Sequence, residues 1–145
     1  MRIEAVLHPA KEGGYAVSIP AFDLWTQGET KEECYMMARE AVTLAFESEI
    51  GGTDFTELVE AHPEEGDVFT LTVPEQEALQ MMIKLLRASQ GFSLGDASKA
   101  LGSSSKNSFA QYEQGAREPG VTKLAQLLDV LHYDLVLSVR TKKTA

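Results

Sequence analysis

The chain has 145 residues, 43% of them apolar and 24% charged, which is enough for one ordinary hydrophobic core or two small ones. No apolar run approaches the roughly 20 residues that span a bilayer, and the opening "MRIEAVLHPAKEGG" has no signal-peptide core. A single cysteine, Cys34, can neither close an intramolecular disulfide nor build a metal site, so the expectation is a cytoplasmic chain with no membrane contact, metal or cofactor.

The net charge of −9 is unevenly shared. Residues 1–74 carry 15 acidic and 4 basic side chains, net −11, whereas residues 75–145 carry 7 and 9, net +2. An acidic part repels nucleic acid and attracts a basic protein. The asymmetry suggests two parts with different partners, divided at Pro74; the alternative is that a solvated acidic face only keeps the protein soluble.

In chain order, "RIEAVL" (Arg2 to Leu7) alternates and reads as a strand bounded by His8-Pro9. "KEGG" is a turn, and "YAVSI" (Tyr15 to Ile19) returns as the second strand of a hairpin that Pro20 ends. "FDLWTQ" is a third extended piece, with Trp25 as a core or interface anchor. Thr30 opens a helix as cap with Glu33 three residues on, and Gly51-Gly52 stops it. Cys34, Met37, Ala38, Ala41, Leu44 and Ala45 recur along it at helical spacing. "FTELVE" and "DVFTLTV" read as further extended pieces separated by "AHPEEG", giving β-β-β-α-β with room for one more strand.

Residues 75–145 read as helical. "EQEALQMMIKLLRASQG", "SLGDASKALG" with Ser93 as cap, "SSSKNSFAQYEQG" and "VTKLAQLLDVLHY" are four helices. "DLVLSV" (Asp134 to Val139) is too short and too β-branched to extend the last and is expected to be a strand. Left alone it would be an exposed edge, so Leu135, Val136, Leu137 and Val139 are expected to pair with the same segment of a second copy about a two-fold axis; the alternative is pairing within the chain, against the N-terminal sheet. The fold class is α+β: a small N-terminal sheet with one long helix, then a helical domain with a short C-terminal strand.

The second half resembles the helix-turn-helix of the Xre/Cro-type repressors. The residues that carry this are Leu85, Leu86, Arg87, Gly91, Ser93, Leu94, Ala97, Leu101-Gly102, Ser105, Phe109, Tyr112-Glu113, Gly115, Arg117, Pro119, Leu124 and Leu127-Leu128. Between Gly102 and Phe109 the chain has one residue more than the usual pattern, which the run "GSSSKNSF" must absorb, with Ser105 as the expected cap. The resemblance implies operator binding by the second of the two helices. Lys106, Asn107 and Gln111 are the expected base readers, and Ser103, Ser104, Ser105 and Ser108 lie beside them as phosphate donors or cap.

The first half, through Tyr15, Val17, Pro20, Gly28, Thr30, Glu32, Glu33, Ala38, Glu40 and Ala41, resembles the N-terminal domain of HicB antitoxins. The Pro-Gly-Cys usual before that helix is replaced by "DLW". The resemblance implies a partial ribonuclease-H-like fold without catalysis that binds HicA, a small basic toxin that cleaves mRNA. Phe22, Asp23, Trp25, Glu29 and Glu32 are the expected toxin contacts. Glu4, Asp23, Glu40 and Asp67 are the carboxylates that a two-metal nuclease reading would need; with so many acids in this half some match any template, and no enzyme is expected. The alternative is a stand-alone repressor whose N-terminal domain senses a ligand.

Overall fold

The computed structural model describes residues 1–142. Its elements are β1 (Arg2–Pro9), β2 (Tyr15–Ile19), a 3-10 turn (Pro20–Phe22), β3 (Leu24–Gly28), α1 (Lys31–Glu49), β4 (Glu60–Pro63), β5 (Val68–Thr72), α2 (Glu75–Ser89), α3 (Leu94–Ala100), α4 (Asn107–Glu113) and α5 (Val121–Val130).

The strands form one five-stranded antiparallel sheet in the order β3-β2-β1-β5-β4. The alternation read in the sequence sets its two faces. Ile3, Ala5 and Leu7 of β1, Val17 and Ile19 of β2, and Phe69 and Leu71 of β5 are buried together. The residues between them point to the opposite face, as the period of two requires.

Helix α1 leaves one edge strand, β3, crosses the apolar face and returns to the other edge, β4. Thr30 caps it as expected, its hydroxyl accepting from the Glu33 amide at 3.1 Å. The Glu33 carboxylate reaches the amide of Glu29 rather than that of the cap, at 3.4 Å. Helix and sheet approach most closely at Gly28, where a Cβ would come within 2.9 Å of the Cys34 amide nitrogen and Sγ. The residues that face the sheet are Cys34, Ala38, Val42 and Phe46. Leu44, expected on that stripe, is exposed instead.

Four further expectations are corrected. His8 and Pro9 lie within β1 rather than in the turn, and His8 Nε2 is 2.8 Å from Ser18 Oγ. The fourth strand is Glu60–Pro63, not "FTELVE", because Phe55 and Val59 are drawn into the core around a turn. Helix α5 stops at Val130, with His132 left-handed at φ 69°. Residues 134–140 form no strand in the single chain: a strand exists only where a ladder partner satisfies its backbone. Val136 and Val139 are 85% and 97% exposed.

One apolar cluster runs through the whole molecule, from Ile3 to Leu131. Helix α2 joins the two halves: it packs against the 3-10 turn and α1 on one side and against α4 and α5 on the other. Its Ala78, Met81, Met82, Ile83 and Leu86 are buried.

Candidate functional site

Two short helices, α3 and α4, meet around Ala97 and Phe109, both fully buried. Helix α3 opens on a reciprocal capping box: the Ser93 hydroxyl accepts from the Asp96 amide at 3.0 Å and the Asp96 carboxylate accepts from the Ser93 amide at 3.1 Å. Those bonds favour the charged form and hold the Asp96 carboxyl below its ordinary value.

Two polar groups then lock α4 in place, and sequence reasoning did not single out either for this role. Ser98, inside α3 and 1% exposed, donates to the carbonyl of Lys106 at 3.0 Å and accepts from the amide of Phe109 at 3.1 Å. Its hydroxyl thus replaces the missing cap of α4. Arg87 of α2 makes a two-pronged contact with Glu113 at the end of α4: Nε to Oε2, and Nη2 to Oε1 at 2.9 Å. A third bond runs from Arg87 Nη1 to the Phe92 carbonyl at 2.6 Å. Both residues stood in the motif, but nothing local in the sequence paired them across 26 positions.

The extra residue is absorbed in a serine turn. Ser103 Oγ lies 2.5 Å from Ser108 Oγ and accepts from the Ser105 amide at 3.2 Å, while Ser105 Oγ accepts from the Asn107 amide at 3.3 Å. The helix therefore begins at Asn107, with Lys106 rather than Ser105 in the cap position and no side-chain cap bond. Ser104, Ser105, Lys106 and Asn107 are exposed along the leading edge of α4. Ser103, Ser108 and Gln111 are half-buried, and the Gln111 amide donates to the Ser108 carbonyl at 3.2 Å. The basic side chains of Lys99, Lys106, Arg117 and Lys123 are exposed on this half.

The helix-turn-helix family matches residues 83–137. Helices α3 and α4 and the turn between them lie inside that match. The chain is also 48% identical over 48 residues to Antitoxin HicB 1 of Photorhabdus laumondii subsp. laumondii. That stretch is 32% of this chain and 31% of the relative, so the chain spans about a third of the length of the relative it matches.

The expected contacts of the first half fall on different surfaces. Phe22 is 1% exposed and packs edge-on against Phe46, with ring centroids 5.9 Å apart. Its expected role as a docking anchor is corrected to a core residue. Trp25 is 62% exposed. It pairs with Ser18 in register and stacks on His8 at 5.2 Å, on the sheet face away from α1. Asp23, left-handed at φ 50°, accepts from Ser89 Oγ at 2.7 Å, tying the 3-10 turn to the end of α2. Glu29 and Glu32 are exposed at the start of α1.

The four carboxylates of the nuclease reading do not converge. Glu4 faces the outer side of the sheet opposite Thr70, while Glu40 lies on the outer side of α1. Asp23 is held by Ser89, and Asp67 lies 4.0 Å from Lys31. Among the described residues no helix is long and apolar enough to cross a membrane.

Proposed function

We propose that the protein is a non-enzymatic, cytoplasmic antitoxin. In this reading residues 1–74 hold a small basic, mRNA-cleaving toxin of the HicA type, and residues 75–145 bind the operator of their own operon as a homodimer. The observation that carries it is that a chain matching the helix-turn-helix family over residues 83–137 is also 48% identical over 48 residues to a relative named as an antitoxin. The charge division supports it: −11 suits a basic protein, and +2 with Lys99, Lys106, Arg117 and Lys123 exposed on the second half suits a phosphate backbone.

Asp23, Trp25, Glu29 and Glu32 are the exposed candidates for the toxin contact. Lys106 and Asn107 are placed to reach base edges, and Ser104 and Ser105 to reach phosphates. Gln111 reads bases by releasing its bond to Ser108, so Gln111→Ala weakens operator binding by about 1–3 kcal/mol and random-DNA binding little. Leu135, Val136, Leu137 and Val139 are the segment that would pair with its copy, which covers the exposed Val136, Leu137 and Val139 and satisfies the backbone that lacks a ladder. Half-sites then lie about 10 bp apart or a multiple of it.

The deciding experiment first looks for a short frame encoding a basic protein beside the gene, whose absence ends this reading, and then co-expresses that protein with the full chain, together with a gel-shift on the DNA upstream of the pair. Growth rescue and a specific shift are expected. A folded chain that neither rescues growth nor shifts that DNA ends this reading. Truncation after Tyr133, followed by light scattering, tests the pairing: a truncated chain that stays dimeric removes the strand from the interface.

A further inference from the structure

Part of the acidity of the first half lies on one line along α1. With 3.6 residues per turn, Glu33, Met36, Glu40, Leu44 and Glu47 fall within about a quarter of the circumference of α1, on the side away from the buried Cys34, Ala38, Val42 and Phe46. Glu32 borders the line. Met36 and Leu44 are 67% and 56% exposed. Single exposed apolar side chains are ordinary on a protein surface. These two share one stripe about 12 Å apart along the axis, with a glutamate on each side of each.

The carboxylates around them are left without counter-charge by the helix itself. Its two cations, Lys31 and Arg39, are both turned to the loop between α1 and β5. Lys31 Nζ donates to the Gly66 carbonyl at 3.1 Å and lies 4.0 Å from Asp67. Arg39 Nε donates to the Val59 carbonyl at 2.8 Å, and its Nη2 to that of Thr56. Among the described residues, none of Glu32, Glu33, Glu40 and Glu47 forms an ion pair.

We propose that this outer face of α1 is the docking surface for a basic protein, with Met36 and Leu44 as its apolar contacts and Glu33, Glu40 and Glu47 as the charges around them. The proposal rests on the reading of residues 1–74 as the half that holds a basic toxin, and it places that contact on α1 rather than on the opposite side of the sheet, where Trp25 lies. Charge selects the occupant. A second copy would set glutamates against glutamates, and nucleic acid or an anionic membrane would be repelled in the same way. A cationic surface with apolar side chains between its charges satisfies both parts of the stripe. Glu29 and Glu32 continue the same surface at the start of the helix.

The test uses the full chain and the basic protein encoded beside its gene, by calorimetric titration at about 50 mM and about 300 mM salt, where screening differs strongly. M36S/L44S is expected to weaken binding by at least about tenfold at both salt concentrations. E33Q/E40Q/E47Q, which keeps shape and helix propensity, is expected to weaken it about tenfold at low salt and to flatten the salt dependence. W25S is titrated in parallel as the probe of a contact on the opposite side of the sheet. Thermal melts followed by circular dichroism establish that each variant is folded, and the glutamine variant carries the test if the serine variant melts early. Stripe variants that bind like the parent overturn the proposal and leave the antitoxin reading standing. Loss confined to W25S does the same and moves the contact to the sheet. A parent chain that does not bind this protein overturns both.

Discussion

The two halves of this molecule hold their exposed surfaces by different means. Helix α1, 19 residues long, is fixed to the sheet by apolar contact: Phe46 sits between Phe22 and Phe55, with centroids at 5.9 and 5.0 Å. Helices α3 and α4 have seven residues each and bury few large side chains. Their positions depend on Ser98 and on the Arg87–Glu113 pair. Short helices cannot bury enough apolar area to define a crossing angle alone, so directional bonds complete the specification. A surface built the first way tolerates polar change around it; one built the second way fails when a single buried partner is lost.

The largest expected effect is that of Phe46→Ala. Removing the ring between two other rings leaves a cavity in a close-packed core and costs about 3–5 kcal/mol, measured by urea unfolding. A loss under about 1 kcal/mol would mean that α1 is not held by packing, and the contrast between the halves would collapse.

Glu113→Ala is expected to cost somewhat less, about 2–4 kcal/mol, because Arg87 is left half-buried without its counter-charge and keeps only its bond to the Phe92 carbonyl. Here the shape of the transition matters as much as its midpoint. Trp25, the only tryptophan, reports the N-terminal sheet, whereas the 222 nm ellipticity reports mainly the helices. The variant should lose ellipticity at a lower urea concentration than it loses the Trp25 signal. Coincident curves would mean that the continuous core through α2 binds both halves into one cooperative unit.

Ser98→Ala sharpens the comparison at a smaller scale. It leaves the amide of Phe109 and the carbonyl of Lys106 without their hydroxyl partner and costs about 1–3 kcal/mol. Operator affinity should fall beyond what the fraction unfolded explains, since α4 loses its anchor at the end proposed above to contact DNA. Unchanged affinity of the folded protein would mean that Ala97 and Phe109 set the angle without it.

The smallest effect expected concerns acid. Asp96 has its carboxyl held below the ordinary 3.8 by its bonds to Ser93. A group with a lowered folded-state pKa contributes stability above its unfolded value, and that stability is lost as pH falls through the folded value. Asp96→Asn should therefore make stability less sensitive to acid below about pH 4 and leave the slope at neutral pH unchanged. An unchanged acid slope would show that the box contributes no linkage.

Local patterns in the chain carried most of the architecture. Strict alternation in β1 and β2 required a sheet with one buried face. Thr30 and Gly51 bounded α1, Ser93 with Asp96 opened α3, and the run from Arg87 to Leu128 was legible as a helix-turn-helix, because caps, turns and short-range periodicity act between near neighbours in sequence. What remained open depended on partners far along the chain. Phe22 and Trp25 are two aromatic residues three positions apart in one extended run, and composition treats them alike. Alternation sets residues three apart on opposite faces but does not say which face is buried; tertiary packing decides that, with Phe22 against Phe46 in the core and Trp25 out on His8. Glu113 had no visible partner until α2 brought Arg87 beside it. Residues 134–139 have strand composition and no strand, because a ladder is a property of two segments and the single chain offers this one no second.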